Sequence, residues 1–175
     1  MTNTASDNLI ALSLTDFAAD MLDSGWRGKE HEWVSLFAFN YLLRQCVPGG
    51  PLYEPGQLGI EVHVGQPPDY SKLAVRRDIV IWPRSGMTCW GEDWKPHYHP
   101  LAILEWKVHR PGRRNREQAH EREWLRRYTK WQSQPVAYAV EVDLGRSPPT
   151  LTCCRFHAGI EQAGWLCFMG ERRLV

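Results

Sequence analysis

Three ionisable residues stand inside apolar runs of the chain: Asp78 in VRRDIVIW, and Glu105 and Lys107 in LAILEWKV. Burying an unpaired charge costs several kcal/mol, so a fold keeps such groups only where they are paired or used. Side chains two apart on a strand share a face, which turns Glu105 and Lys107 one way and Trp106 the other. If the Asp78 strand is their neighbour, all three converge. Two carboxylates on one edge form an oxygen-rich site for Mg²⁺, with Mn²⁺ as a substitute. A cation held there can polarise a phosphodiester and lower the pKa of a bound water, and Lys107 can hold the attacking water and offset charge at phosphorus. The chemistry indicated is phosphodiester hydrolysis. The competing reading of the same residues is an internal ion pair between Lys107 and one of the two acids.

The elements that must position these groups are read from periodicity. Residues 9–22 carry apolar residues at helical spacing with Asp16 and Asp20 on the polar side, and residues 29–45 repeat Trp33, Val34, Phe37, Tyr41 and Leu42 at three- and four-residue intervals. Both predict helices. Strands are predicted over 59–64, 72–82 and 101–108. Residues 84–100, rich in Gly, Pro, His and charge, form a long inserted loop. Asn115 is a plausible cap for a helix to about residue 132 with Trp124, Leu125, Tyr128 and Trp131 as its stripe. Strands follow over 135–144, 151–156 and 165–169. Nearly continuous apolar strands are buried on both faces, so the expected architecture is α/β, a central mixed sheet sandwiched by helices in three layers.

On these residues the chain resembles the PD-(D/E)XK nuclease superfamily, which includes restriction endonucleases, Holliday-junction resolvases and RecB-type exonucleases. Asp78 in RRDIVIW, Glu105 and Lys107 in LEWK, and an acid on the preceding helix carry the resemblance, over about residues 29–144. The segment KEHEWV resembles the AERELV-like helix start of archaeal resolvases, a match that selects Glu30. Independently, Glu30 shares a helical stripe with Val34, Phe37 and Tyr41; Glu32, which projects with Leu36, Phe39 and Leu43, is the alternative. The resemblance implies a restriction endonuclease-like sandwich and a Mg²⁺-dependent nuclease, with Asp78, Glu105, Lys107 and Glu30 catalytic and Asp78, Glu105 and Glu30 holding the metal. A length of 175 residues with 43% hydrophobic residues fits one core, so a single nuclease-like domain over 1–175 is expected, its core over about 29–144 with additions at both ends. Gln118 falls where RecB-type members place a glutamine, and Tyr128 weakly resembles the tyrosine of that motif at a different spacing. No proline precedes Asp78, and the 84–100 insertion separates Asp78 from Glu105 by more than a simple hairpin.

Partners are read from charge. The whole chain has a net charge of +1, but residues 107–130 hold nine Lys or Arg against three acids. Such an excess beside a metal site suits a phosphate backbone, with Arg110, Arg113, Arg114 and Arg116 leaving the active strand directly. For Arg122, Arg126 and Arg127, a solvated helix face with Glu–Arg pairs is an equal reading. DNA is the expected partner, RNA stays open, and cutting two strands would favour a homodimer. Five cysteines, without a CxxC pair or signal-like segment, fit a reduced, cytoplasmic protein. No apolar run approaches the roughly 18 residues of a membrane span. Cys89, His97, His99 and His109 are usable zinc ligands, yet their spacing matches no common zinc pattern. Most of the nine tryptophans are expected in the core, with Trp90 and Trp94 as exposed exceptions.

Overall fold

Alternating apolar residues form six strands in one sheet, ordered as in the chain: β1 (Leu58–Gly65), β2 (Ala74–Ile81), β3 (Ala102–His109), β4 (Val136–Asp143), β5 (Thr150–His157) and β6 (Ile160–Met169). This computed structural model describes residues 4–111 and 118–170. Neighbouring strands are antiparallel except β3 and β4, which run parallel. A parallel pair needs a crossover, and helix α3 (Gln118–Trp131) lies between these two strands in the chain.

The sheet is mixed and covered on both faces. Against one face pack α1 (Thr4–Met21) and α2 (Glu30–Phe37), through Leu14, Phe17, Trp33 and Phe37 onto Leu104, Trp106, Tyr138 and Val140. Against the other packs α3, whose Trp124, Leu125 and Tyr128 meet Val80, Ile103, Ala137, Ala139 and Phe156. The alternation in β4 explains both layers: the large Val136, Tyr138 and Val140 serve the two-helix side, and the small Ala137 and Ala139 let α3 lie close.

Several bounds differ from those the periodicity predicts. Helix α1 begins at Thr4 rather than residue 9, because its first turn is fixed by a polar group: Asp7 accepts bonds from Tyr138 and Arg155 on the sheet. The second helix is α-helical only to Phe37, then passes through a π turn (Ala38–Leu42) and a 3-10 turn (Leu43–Gln45) with Tyr41 and Leu42 still buried. Strand β6 starts at Ile160 rather than residue 165; its first half is largely exposed, so no apolar alternation marks it. The 84–100 insertion folds back on itself through a Trp90–Pro96 bridge. Cys89 anchors it in the second core, where Trp90 is partly buried, and only Trp94, 78% exposed, matches the expected exposure. No helix among the described residues is long and apolar enough to cross a membrane.

Candidate active site

The site arises where two strands part. The ladder between β2 and β3 runs from Ile81–Ala102 to Ile79–Leu104 and stops. Beyond it, the N–H groups of Trp106 and Val108 have lost a strand partner, and buried backbone donors must be satisfied. Carboxylates take them: Trp106 N–H donates to Asp78 Oδ2 at 2.7 Å, and Val108 N–H to Glu30 Oε2 at 3.3 Å. Asp78 and Glu30 are thus fixed to the strand that carries Glu105 and Lys107.

A second irregularity sits opposite. On β1, Glu61 has φ +50°, a left-handed conformation that costs a non-glycine residue about 1–2 kcal/mol. Ile60 and Ile79, which are register partners, belong to the two-helix core, whereas Val62 packs in the α3 core and its partner Arg77 reaches α3. Strict alternation would have sent Arg77 among the aromatic rings of the first core. Instead its guanidinium lies 3.5 Å from the centroid of the Trp124 ring and donates to Glu105 Oε1 at 3.0 Å. Both partners of this pair are almost wholly buried.

Lys107 completes the cluster. Its Nζ stands 3.1 Å from Glu30 on α2 and 3.1 Å from Glu121 on α3, so one ammonium joins helices on opposite sides of the sheet. Asp78, Glu105, Lys107, Arg77, His120 and Glu121 border one cavity of about 460 Å³, which Tyr70, Lys72 and Arg76 also line.

Four carboxylates stand near two close cations, Lys107 and Arg77, and burial dominates how the two strand acids titrate. Burial pushes Asp78 up to about 6, against the Trp106 amide and Lys107, which pull it down. Burial likewise drives the Glu105 carboxyl to about 8, with Asp78 and Glu121 adding to the rise and Arg77 opposing it. Burial disfavours the Lys107 ammonium, yet Glu121 and Glu30 outweigh it and raise its pKa above the ordinary value. For Asp78 the folded value exceeds the unfolded one, near 3.9, so the folded chain binds more protons between the two and stability falls as pH rises from about 4 to 6. Asp78→Asn, which can still accept from Trp106, is therefore expected to gain stability over wild type across that window. Urea melts of metal-stripped protein at pH 4 and pH 7 test this; a stability difference independent of pH would show that Asp78 titrates as an ordinary carboxylate.

Each residue singled out from the sequence now has a location. Asp78, Glu105 and Lys107 border the same cavity, and Glu30 is joined to it by its hydrogen bond from Lys107. Glu32 is exposed and accepts the Lys29 N–H at the start of α2. Arg110 donates to Gly28 O at 3.0 Å, tying the end of β3 to the turn before α2. Arg113, Arg114, Arg116 and the proposed cap Asn115 lie outside the described residues, and Gln118 is the first residue of α3, its side chain not among those described. Arg126 and Arg127 pair with Glu123, and Arg122 with Glu141 and Glu161, the ion-paired face that was the equal reading. His97 pairs with Asp93, His99 meets Tyr128, and Cys89 is buried.

Arg77, Glu121 and Trp124 were missed by sequence reasoning. Glu121 and Trp124 stand three apart on one face of α3, but what that face meets is set by how α3 lies across the sheet; nothing in the pattern of β2 announces that Arg77 changes faces. The chain matches no family model, no curated protein and no solved structure.

The donor set can be tested against the cation that the resemblance implies. Among the described residues no three His, Cys, Asp or Glu side chains stand together as a metal-holding group. Mg²⁺ does not require three, because it keeps several waters and takes one or two carboxylates. Among the described residues, hydrogen bonds engage Asp78 through Oδ2 and Glu105 through Oε1, which leaves Oδ1 and Oε2 as hard oxygen donors. The set fits.

Proposed function

We propose that the chain is a Mg²⁺-dependent nuclease of the PD-(D/E)XK type that hydrolyses phosphodiester bonds in DNA, with Mn²⁺ able to substitute. The observation carrying this reading is the cavity that Asp78, Glu105 and Lys107 border together, which brings two strand carboxylates and an ammonium to one space. The order helix, three-stranded meander, helix, strand, with three layers, supports the restriction endonuclease-like sandwich that the resemblance implies.

Asp78 and Glu105 would hold the cation. When bound, it would supply charge to the phosphate and acidify a water. Lys107, kept protonated by two carboxylates, acts as a hydrogen-bond donor and fixed positive charge rather than as a base. Glu30 holds that ammonium from α2 and caps the Val108 amide, which makes it a positioning residue in this reading. The segment after β3, with Arg113, Arg114 and Arg116, supplies charge for the phosphate backbone.

One observation favours a second reading. Arg77 already pairs with Glu105, and Lys107 with both Glu30 and Glu121, so three of the four carboxylates have a cationic side chain beside them without a metal. A protein that holds nucleic acid or a protein partner on the same fold, without cutting, would need nothing more. Supercoiled, linear, single-stranded and branched DNA incubated with Mg²⁺ or Mn²⁺ separates the two. Nuclease function predicts cleavage by wild type and none with EDTA or with Glu105→Ala; binding without metal-dependent cleavage of any substrate would establish the second reading.

A further inference from the structure

We propose that Arg77, clamped between the indole of Trp124 and the carboxylate of Glu105, is the positioning residue that orients Glu105 toward a divalent cation. The inference rests on the nuclease reading and names a device within its site. Arginine is rarely buried unless fully paired, yet Arg77 is 7% exposed. Among the described residues its partners are one oxygen of Glu105 and one ring face, and its buried Nε has no hydrogen-bond partner. An ion pair kept for stability alone gains little when its donors are left unsatisfied, since burial costs both charges their hydration.

The backbone is bent to make the contact. Between Ile79 and Arg77 the strand changes the face it presents, opposite the left-handed Glu61, and only that change brings the guanidinium to α3. The clamp also fixes which oxygen is used. Arg77 takes Oε1, which leaves Oε2 for the cavity that Glu105 shares with Asp78. Lys107 cannot do this work, because Glu30 and Glu121 both hold it. A planar guanidinium stacked on an indole sets a carboxylate's plane as a flexible ammonium does not.

Arg77→Lys retains the charge and removes the planar clamp. Calorimetric titration of the full chain with Mn²⁺ alone should show its affinity weakened about 10- to 100-fold relative to wild type, the usual loss when the partner of a metal-holding group is removed. Cleavage at saturating Mn²⁺ should recover to within a few-fold. Trp124→Phe, which keeps a ring but weakens the cation–π contact, should move the affinity the same way by a smaller factor, and it carries the test if the lysine variant does not fold. Circular dichroism and melting in EDTA establish that each variant is folded. A purely structural ion pair would lower the melting temperature and leave the Mn²⁺ affinity unchanged, and that result overturns the proposal. No Mn²⁺ binding by wild type would instead remove the nuclease reading, and this inference with it.

Discussion

Lys107→Met is expected to lower metal-dependent cleavage by about 10²- to 10³-fold, the usual cost of deleting one preorganised donor at a reacting centre. The same change leaves Glu30 and Glu121 without the ammonium that joins them, so a loss of stability accompanies the loss of rate. A second variant separates the two effects. Lys107→Met with Glu121→Gln removes the repulsion along with the charge and should regain most of the stability, but none of the rate. DNA affinity measured in EDTA should stay within a few-fold of wild type for both. Recovery of cleavage in the double variant would mean that Lys107 serves the fold and not the chemistry.

Asp7→Ala is expected to produce the largest loss of stability, at a position far along the chain from the candidate site. Asp7 accepts from the Tyr138 hydroxyl at 2.8 Å and from both Nε and Nη2 of Arg155 at 2.6 and 2.9 Å. Tyr138 is fully buried, and burial followed by the Asp7 charge raises its pKa above the ordinary value. Removing one member of a buried charged network costs about 3–5 kcal/mol, which for a chain of this size lowers Tm by on the order of 10 °C. Asp7→Asn, which keeps one acceptor, should lose less. Thermal and urea melts give the comparison; a loss below about 1 kcal/mol would show that water replaces the carboxylate. The effect reaches the site through packing, because Phe17 of α1 stands edge-on to Trp106 at 5.4 Å, between Glu105 and Lys107 in sequence.

The parts of the site that follow a simple period were legible in the sequence. Glu105 and Lys107 share a face with Trp106 turned away because β3 alternates without interruption, and Trp106 indeed lies in the two-helix core. The stripe of α2 from Trp33 to Phe37 favours Glu30 but leaves Glu32 open as the alternative, and it is the contact with Lys107 that distinguishes Glu30. Legibility ended where the backbone departs from its period. Arg77 reads as a solvent-facing or interior charge until the change of face opposite Glu61 is known, and no residue type there advertises it. Glu121 was counted among the charges of a basic helix, since its role depends on how α3 lies across the sheet rather than on its own neighbours. The start of β6 was hidden because exposed strand residues need not be apolar.

The left-handed Glu61 has a further consequence, at the rim of the molecule rather than inside it. Both outer strands are interrupted near their middles, β1 by Glu61 at φ +50° and β6 by Gly164 at φ +60°. A straight outer strand offers a row of open hydrogen-bonding groups to any other chain, and kinks of this kind are how natural sheets blunt that invitation. Two copies extending the sheet across either rim would have to straighten one of these kinks first. The left-handed Glu61, opposite the change of face at Arg77, therefore also makes the β1 edge a poor template for strand-to-strand pairing.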